Sequence, residues 1–512
     1  MDGRADTPES QTADWGAFGR PIFDNPEARA LSRVGVIDVG SNSVRLVVFD
    51  GAARSPAYFY NEKVMCGLGR DMGETGHLHP EGRARALSAI KRFVALADGM
   101  GIPPLTAVAT AAVRSATDGT DFCAQVLEET GLDLYVIDGE EEARLSAQGV
   151  LLGWPDAQGL VCDIGGSSME LATVDGGDVG ARVSSPLGPL RLTGNKNKRR
   201  DQIDHWLDKM AETIKPHRRL YLVGGSWRAV ARLDMVRRDY PMAVLHDYQM
   251  TPRSIRQTLD WVKAHDLDEL RHMAGLSSAR ISLVPLAGEV LRRLMNRFEI
   301  KQVTTSSYGI REGMLYEQMS RDLRMRNPLI EACRYDEARN ARLPGFGRTL
   351  YKFILPIFST TRMPKHLIKA ACLLHDVSWR AHPDYRAEVC FDNTTRGNLG
   401  GIDHEGRIFL GLALLHRYRN ARPGNRIEPL LGLIGPKMTK QAEILGKAMR
   451  FGAMFSVAAP ERLGTLRHRP KRHELELTLP PRSAALYGEV AAARFNSLAQ
   501  ALDAEQIVKF TK

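Results

Sequence analysis

No apolar run in this sequence approaches the roughly 18 residues of a bilayer-spanning helix; the longest, around Ile408 to Leu415, suits a buried helix. The segment from Met1 to Pro26 has neither a basic start nor an apolar middle. It carries Asp2, Asp6, Glu9, Asp14 and Asp24 among Thr, Gly and Pro, the pattern of a frayed tail and not of a signal peptide. Cysteine is scarce: the chain has 6, at positions 66, 123, 162, 333, 372 and 390, and no two form a C-x-x-C pair. That argues against a zinc site or a disulfide framework and for reduced core thiols in a cytoplasmic protein. With 43% hydrophobic and 25% charged residues, composition also excludes a disordered or collagenous chain.

What is present is size, α/β grammar and a basic balance. At 512 residues the chain exceeds what one hydrophobic core usually supports, so two to four domains are expected. Lys+Arg 70 against Asp+Glu 60 gives 70 − 60 = +10, which favours an anionic partner. Nucleic acid, a membrane surface and polyphosphate all fit that sign. Basic clusters lie at Lys196, Lys198, Arg199 and Arg200, at Arg218-Arg219, and in R-H-R-P-K-R-H (Arg467 to His473); each by itself suits a solvated face.

From Val34 to Asp138, short β-branched runs alternate with amphipathic helices, and the same grammar restarts after a helix beginning near Glu140. Each half ends a β-rich run in D-x-G, which suggests an internal duplication joined near Ala143. Beyond Met325 helical periodicity dominates and strands are nearly absent. The expected units are a disordered tail (1–30), two α/β domains (31–143 and 144–325) and a mostly helical C-terminal domain (326–512).

Three loops carry candidate chemistry. In D-V-G-S-N-S, Gly40 is expected to take a backbone conformation closed to other residues. The amides of Ser41, Asn42 and Ser43 could then converge on an anion, with Asp38 holding a divalent cation beside it. An Asx-type turn closing an ordinary hairpin explains the same residues. The recurrence D-I-G-G-S-S-M-E, with Asp163, Gly165, Gly166, Ser167, Ser168 and Glu170, favours two loops gripping one phosphate group or chain from opposite sides of a cleft. V-G-G-S, ending in Gly225 and Ser226, closes a strand and opens a helix, which presents amides to anions.

At these loops the sequence resembles the exopolyphosphatase and guanosine pentaphosphate phosphohydrolase (Ppx/GppA) family of the actin-like, sugar kinase and Hsp70 superfamily. A-T-A-A-V-R (Ala109 to Arg114), G-E-E-E-A-R-L (Gly139 to Leu145), L-G-P-L-R-L-T (Leu187 to Thr193) and Y-G-I-R-E-G-M-L-Y (Tyr308 to Tyr316) follow in family order. The resemblance implies two actin-like (RNase H-like) domains flanking a cleft, then a helical HD-like domain. It also implies a homodimer, and hydrolysis of the terminal phosphoanhydride of inorganic polyphosphate. Guanosine pentaphosphate is the alternative substrate, and neither nucleic acid nor membrane is an expected partner.

The residues alone leave Glu140, Glu141 and Glu142 equal as candidate bases at the start of the joining helix; the resemblance selects Glu142. Arg114 would bind the terminal phosphate, although a surface ion pair explains it equally. Magnesium or manganese would be held by Asp38, Asp163, Glu170 and substrate oxygens. The family pattern is broken at Ser167 and Met169, and Trp227 follows the third loop, where it could stack on a purine or fill the space a base would take. L-L-H-D (Leu373 to Asp376) looks like an HD metal motif without its earlier histidine, so a structural role for His375 is expected. Arg321, Arg324, Arg326 and Arg467 to His473 would extend a polyanion track into the helical part. A superfamily-type phosphotransferase and a nucleotide-switched actin-like module are the remaining rivals.

Overall fold

The computed structural model describes residues 23–25, 30–31, 33–51, 54–102, 105–192, 195–420 and 424–511. Within the expected tail, Phe23–Asn25 and Ala30–Leu31 pair as short antiparallel strands, so that stretch is not wholly without structure: the two segments satisfy each other's backbone groups. The rest of 1–30, and Thr193 of the fourth quoted motif, lie outside the described residues.

Two sheets share one plan. The first holds β1 (Gly35–Val39), β2 (Ser43–Phe49), β3 (Tyr58–Met65), β4 (Thr106–Ala109) and β5 (Leu134–Val136), in the order β3-β2-β1-β4-β5. The second holds β6 (Gly159–Ile164), β7 (Met169–Asp175), β8 (Asp178–Ser185), β9 (Arg219–Val223), β10 (Gln249–Met250) and β11 (Gln302–Thr305), in the order β8-β7-β6-β9-β11-β10. In each, the first three strands form an antiparallel meander and the next two add in parallel. Gly176 (φ 58°) and Gly177 (φ 91°) turn β7 into β8, both in the left-handed region that a two-residue hairpin requires.

Helices fill the layers around these sheets. Pro80–Gly99 (α1) covers the outer face of the first sheet, and the joining helix Gly139–Gly153 (α2) passes between the two. Lys196–Thr213 (α3), Gly225–Arg237 (α4) and Pro252–Ala264 (α5) cover the second. Ile310–Glu317 (α6) crosses α2 so closely that a Cβ on Gly313 would overlap the carbonyl of Leu145. Together α2 and α6 bury Leu145, Val150, Leu151, Met314 and Leu315 against Val36, Val108, Val161 and Val223 of both sheets. The α2 N-terminus is capped by Asp138, whose side chain accepts from the Glu141 amide. Its first turn carries Glu140, Glu141 and Glu142 at the positive end of the helix dipole.

The C-terminal part is helical from Pro328 through Phe455 and then, against the expectation of near-absent strands, forms a sheet of β12 (Thr465–Arg469), β13 (Glu474–Leu479) and β14 (Glu505–Phe510). These strands are short and rich in charge, so the period-two alternation of apolar and polar residues in β13 (Leu475, Leu477 and Leu479 on one face) is easily overlooked. R-H-R-P-K-R-H is the hairpin itself: Pro470–Arg472 makes the turn and His473 closes it at φ 51°. His375 is buried with Nδ1 2.9 Å from the Cys372 carbonyl oxygen, and Asp376 accepts from Arg342 Nε at 2.8 Å and Nη2 at 2.6 Å. Among the described residues no group of three or more His, Cys, Asp or Glu side chains is placed to hold a metal ion.

Candidate phosphate-binding cleft

The two D-x-G loops have the same internal geometry. Gly40 N donates to the Ser43 carbonyl and Gly165 N to the Ser168 carbonyl, each at 3.0 Å. Neither glycine has positive φ, which corrects the expectation for Gly40. A Cβ there would meet only the Ser43 carbonyl, at 3.5 Å, an ordinary contact. What the glycine leaves is bare backbone that an anion can approach closely. From behind, the first loop is pinned by Cys66 N and Gly67 N on the Asn42 carbonyl (3.0 Å each) and by Gly69 N on that of Ser41 (2.8 Å).

The loops meet. Ser41 Oγ and Ser167 Oγ are 2.6 Å apart although 126 residues separate them in sequence, and both are buried. Gly224, at φ 109°, lays the third loop onto the second: a Cβ there would stand 2.6 Å from the Ile164 carbonyl oxygen and 3.1 Å from Asp163 Oδ1. Gly225, Ser226 and Ser168 therefore border the same cleft. Met169 is fully buried in the core packed on the second sheet and does not belong to the donor set. Trp227 is also fully buried there, so it offers no face to a purine; its position two residues into α4 turns it to the sheet side.

Cross-strand register sets the acids on matching rows. In the first sheet Asp38 lies opposite Arg45, which lies opposite Lys63; in the second Asp163 lies opposite Glu170, which lies opposite Ser184. Directly paired residues share a face of the sheet, so each row is one strip of the cleft floor. Ser146 donates to Asp163, and Ser184 donates to Glu170 Oε1 at 2.9 Å, while Glu170 Oε2 is buried without a hydrogen-bond partner.

Of the three candidate bases only Glu142 turns inward. Glu141 is bound by Arg144 at 2.5 Å, Glu140 is exposed near Arg182, and Glu142 is 5% exposed with Arg114 Nη1 3.3 Å from Oε2. Burial, then repulsion from Asp163, pushes Glu142 up to about 8 despite Arg114. Glu170 is raised well above the ordinary range by burial and by Glu142 and Asp163. Burial also raises Asp163 against its bond from Ser146. Arg114 Nη1 also donates to the Ile137 carbonyl at 2.6 Å, so this guanidinium is fixed at the base instead of lying in a surface pair.

Five cations that the sequence reading passed over line the same space. Arg311 lies 3.9 Å from Asp38 and its Nη1 is buried with no hydrogen-bond partner. Arg45, Lys63, Arg228 and Arg280 act on one another electrostatically. Burial and those neighbours hold Lys63 down to about 8, and burial followed by Arg311 holds Arg45 down to about 10. A signal existed for two of them: Arg45 interrupts the apolar run of β2, and Arg311 sits in Y-G-I-R-E-G, where its neighbour Glu312 accepts from Tyr58 OH at 2.7 Å. The expected track in the helical part is in part engaged structurally. Arg324 binds the carbonyls of Met319 (2.9 Å) and Glu317 (2.6 Å), and Arg469 meets Glu474 at 3.5 Å and Glu476 at 3.3 Å.

The profile of the Ppx/GppA phosphatase family matches residues 47–322, and that of the exopolyphosphatase C-terminal region matches residues 347–507. Proteins named Exopolyphosphatase 1 from Mycobacterium tuberculosis and Mycobacterium bovis are each 28% identical over 305 residues, covering 56% of this chain and 88% of theirs. The crystal structure of an exopolyphosphatase from Cytophaga hutchinsonii superposes with a TM-score of 0.50 at 25% identity, covering 56% of this chain and 97% of that one.

Proposed function

The chain belongs to the Ppx/GppA phosphatase family, and from that premise we propose that it is an exopolyphosphatase, hydrolysing the terminal phosphoanhydride of inorganic polyphosphate to release orthophosphate. The observation that carries this reading is the contact of Ser41 with Ser167, which closes two equivalent glycine-and-serine loops over a floor of buried carboxylates walled by cations. The burial of Trp227 removes the aromatic side chain that follows the third loop as a partner for a purine, which weighs toward a phosphate chain over guanosine pentaphosphate.

Phosphoanhydride hydrolysis needs a placed water, an in-line terminal phosphorus and neutralised equatorial oxygens. In the proposed site Gly40, Ser41, Asn42, Ser43 and Gly165 to Ser168 hold the terminal phosphate, with Gly225 and Ser226 behind it. Arg311 supplies its unpartnered nitrogen to the phosphate oxygens, and Arg45, Lys63, Arg228 and Arg280 take the phosphates that follow. Glu142 accepts the proton of the attacking water as general base, oriented by Arg114, whose other nitrogens remain available to the terminal phosphate.

Magnesium or manganese fits this donor set: Asp38, Asp163 and Glu170 are hard oxygen ligands, Glu170 Oε2 is unsatisfied, and burial and neighbouring carboxylates raise Asp163 and Glu170, a cost that a cation would relieve. Because among the described residues the side chains alone form no complete metal cage, substrate oxygens and water would complete the shell, as magnesium favours. Such an ion would neutralise charge developing on the phosphoryl oxygens. We further propose a cytoplasmic location. All six cysteines are free thiols, which suits a reducing compartment.

The test is phosphate release from long polyphosphate, guanosine pentaphosphate and ATP, side by side with magnesium. Polyphosphate should be turned over fastest. Release from ATP alone would overturn the reading, and release from the pentaphosphate alone would transfer it to the alternative substrate.

A further inference from the structure

Away from the cleft, the fold gathers cations from four separate stretches of sequence into one groove. Three cavities of about 620, 410 and 520 Å³ run together along the back of the second domain: Asn296 borders the first and second, and Thr251 and Lys301 border the second and third. Lys196 and Arg200 enter from the first turn of α3, Arg253 and Arg256 from α5, and Arg218 and Lys301 from the residues just before β9 and β11. The last two are held side by side, since Lys301 N donates to the Arg218 carbonyl at 2.8 Å. All six side chains are exposed, and among the described residues none has a carboxylate partner. Their neighbours differ: Arg292 is neutralised by Asp260 and Arg293 by Asp204.

Two costs attach to this arrangement. Two acids, Glu289 and Glu299, also line the groove, and Glu289 faces Arg199 at 3.7 Å; the remaining like charges repel, and the first turn of α3 has no acidic residue, so Lys196 and Lys198 sit at the positive end of the helix dipole. A bound polyanion removes both costs. The lining of the three cavities holds no Phe, Tyr or Trp, and single-stranded nucleic acid is gripped chiefly by stacking on such side chains. A chain of phosphates without bases suits the groove better.

We infer that this groove is a second polyphosphate-binding surface, holding a stretch of the substrate chain that is not being cut. The inference rests on the proposed exopolyphosphatase reading. Arg219 and Gln302 begin β9 and β11, whose other ends reach the phosphate loops, so roughly 15 Å of strand separates groove from cleft. A short substrate cannot occupy both. A long one can, and its held portion keeps the free end at high local concentration.

The test uses the full chain carrying Arg200→Glu, Arg256→Glu and Lys301→Glu together, with the corresponding Gln triple variant in case charge reversal disturbs folding. Phosphate release from tripolyphosphate and from polyphosphate of several hundred units is compared at low and physiological salt, alongside direct binding of labelled long polyphosphate. Tripolyphosphate kcat/KM should stay within about twofold. KM for the long chain should rise about tenfold, and long-chain binding should become less salt-sensitive as phosphate contacts are lost. Equal losses on both substrates, or none on either, would overturn the inference. If the unaltered protein releases no phosphate from any polyphosphate, the exopolyphosphatase reading fails instead, and weaker long-chain binding by the variants still establishes the groove. Variants that lose single-stranded RNA binding while retaining polyphosphate binding would assign the groove to nucleic acid and end the proposal.

Discussion

Replacing Glu142 by Gln separates its chemical role from its electrostatic cost. Gln keeps the shape of the side chain in its neutral state and cannot take a proton from water, so phosphate release should fall at least about 100-fold while polyphosphate still binds. The same change should stabilise the metal-free protein. The carboxyl is raised from 4.5 to about 8 by burial and by Asp163, so the stability it contributes is fully present below about pH 4.5 and is lost as pH rises through about 8. At 1.36 kcal/mol per pH unit, the deficit at pH 7 is at most ~3 kcal/mol, nearing ~5 kcal/mol above pH 8. The Glu142→Gln variant would carry none of it. For two domains melting as one unit, ~3 kcal/mol corresponds to a Tm gain of roughly 5 °C at pH 7. Calorimetry in EDTA at pH 5, 7 and 9 should show a gain that is small at pH 5 and grows with pH. A gain that does not grow would mean that Glu142 is already ionised in the empty cleft, contrary to the repulsion argument. Retention of more than a tenth of the turnover would place the general base elsewhere, with Glu141→Gln the next variant to measure.

Other outcomes follow from the same geometry. Arg311→Gln should lower kcat/KM by about 10²- to 10³-fold, the usual loss when one charge-stabilising donor is removed; an effect under about fivefold would show that Arg311 merely balances Asp38. EDTA should stop phosphate release and added magnesium or manganese restore it, and activity that survives chelation would refute Asp38, Asp163 and Glu170 as cation ligands. His375→Ala with Asp376→Ala should leave kcat nearly intact but lower Tm by several degrees, because Arg342 loses its buried carboxylate partner. Lost activity at unchanged Tm would revive that pair as a catalytic site.

Much of the cleft was legible because its determinants are local. A strand, a glycine and hydroxyl residues in succession describe a loop whatever surrounds it. The repetition of that pattern at Asp38 and Asp163 pointed to two matching sheets. The helix carrying Glu140, Glu141 and Glu142 showed itself by its acidic first turn after Asp138. Other features depend on which residues meet across the fold, and these the chain does not display. The row Asp38, Arg45, Lys63 exists only through strand register, and Arg228 and Arg280 join it only because α4, with the short helix Ser278–Ile281 packed on it, borders the cleft. Periodicity could not select among three adjacent glutamates, because all lie on one helical turn; burial against Asp163 and Arg114 singled out Glu142. Trp227 was left open between stacking on a purine and filling that space, and burial decided for the second. An aromatic beside a glycine loop suggests a ligand, yet its direction is set by the helix phase, which aims it at the sheet. The groove on the second domain goes furthest in this direction: Lys196, Arg218, Arg256 and Lys301 are ordinary surface charges in sequence, and only the packing of α3 and α5 beside the starts of β9 and β11 makes them one surface. Sequence thus determined the loops, the duplication and the acidic helix start, since each follows from neighbouring residues. Tertiary structure decided which charges face one another, since Coulomb interactions act across space and not along the chain.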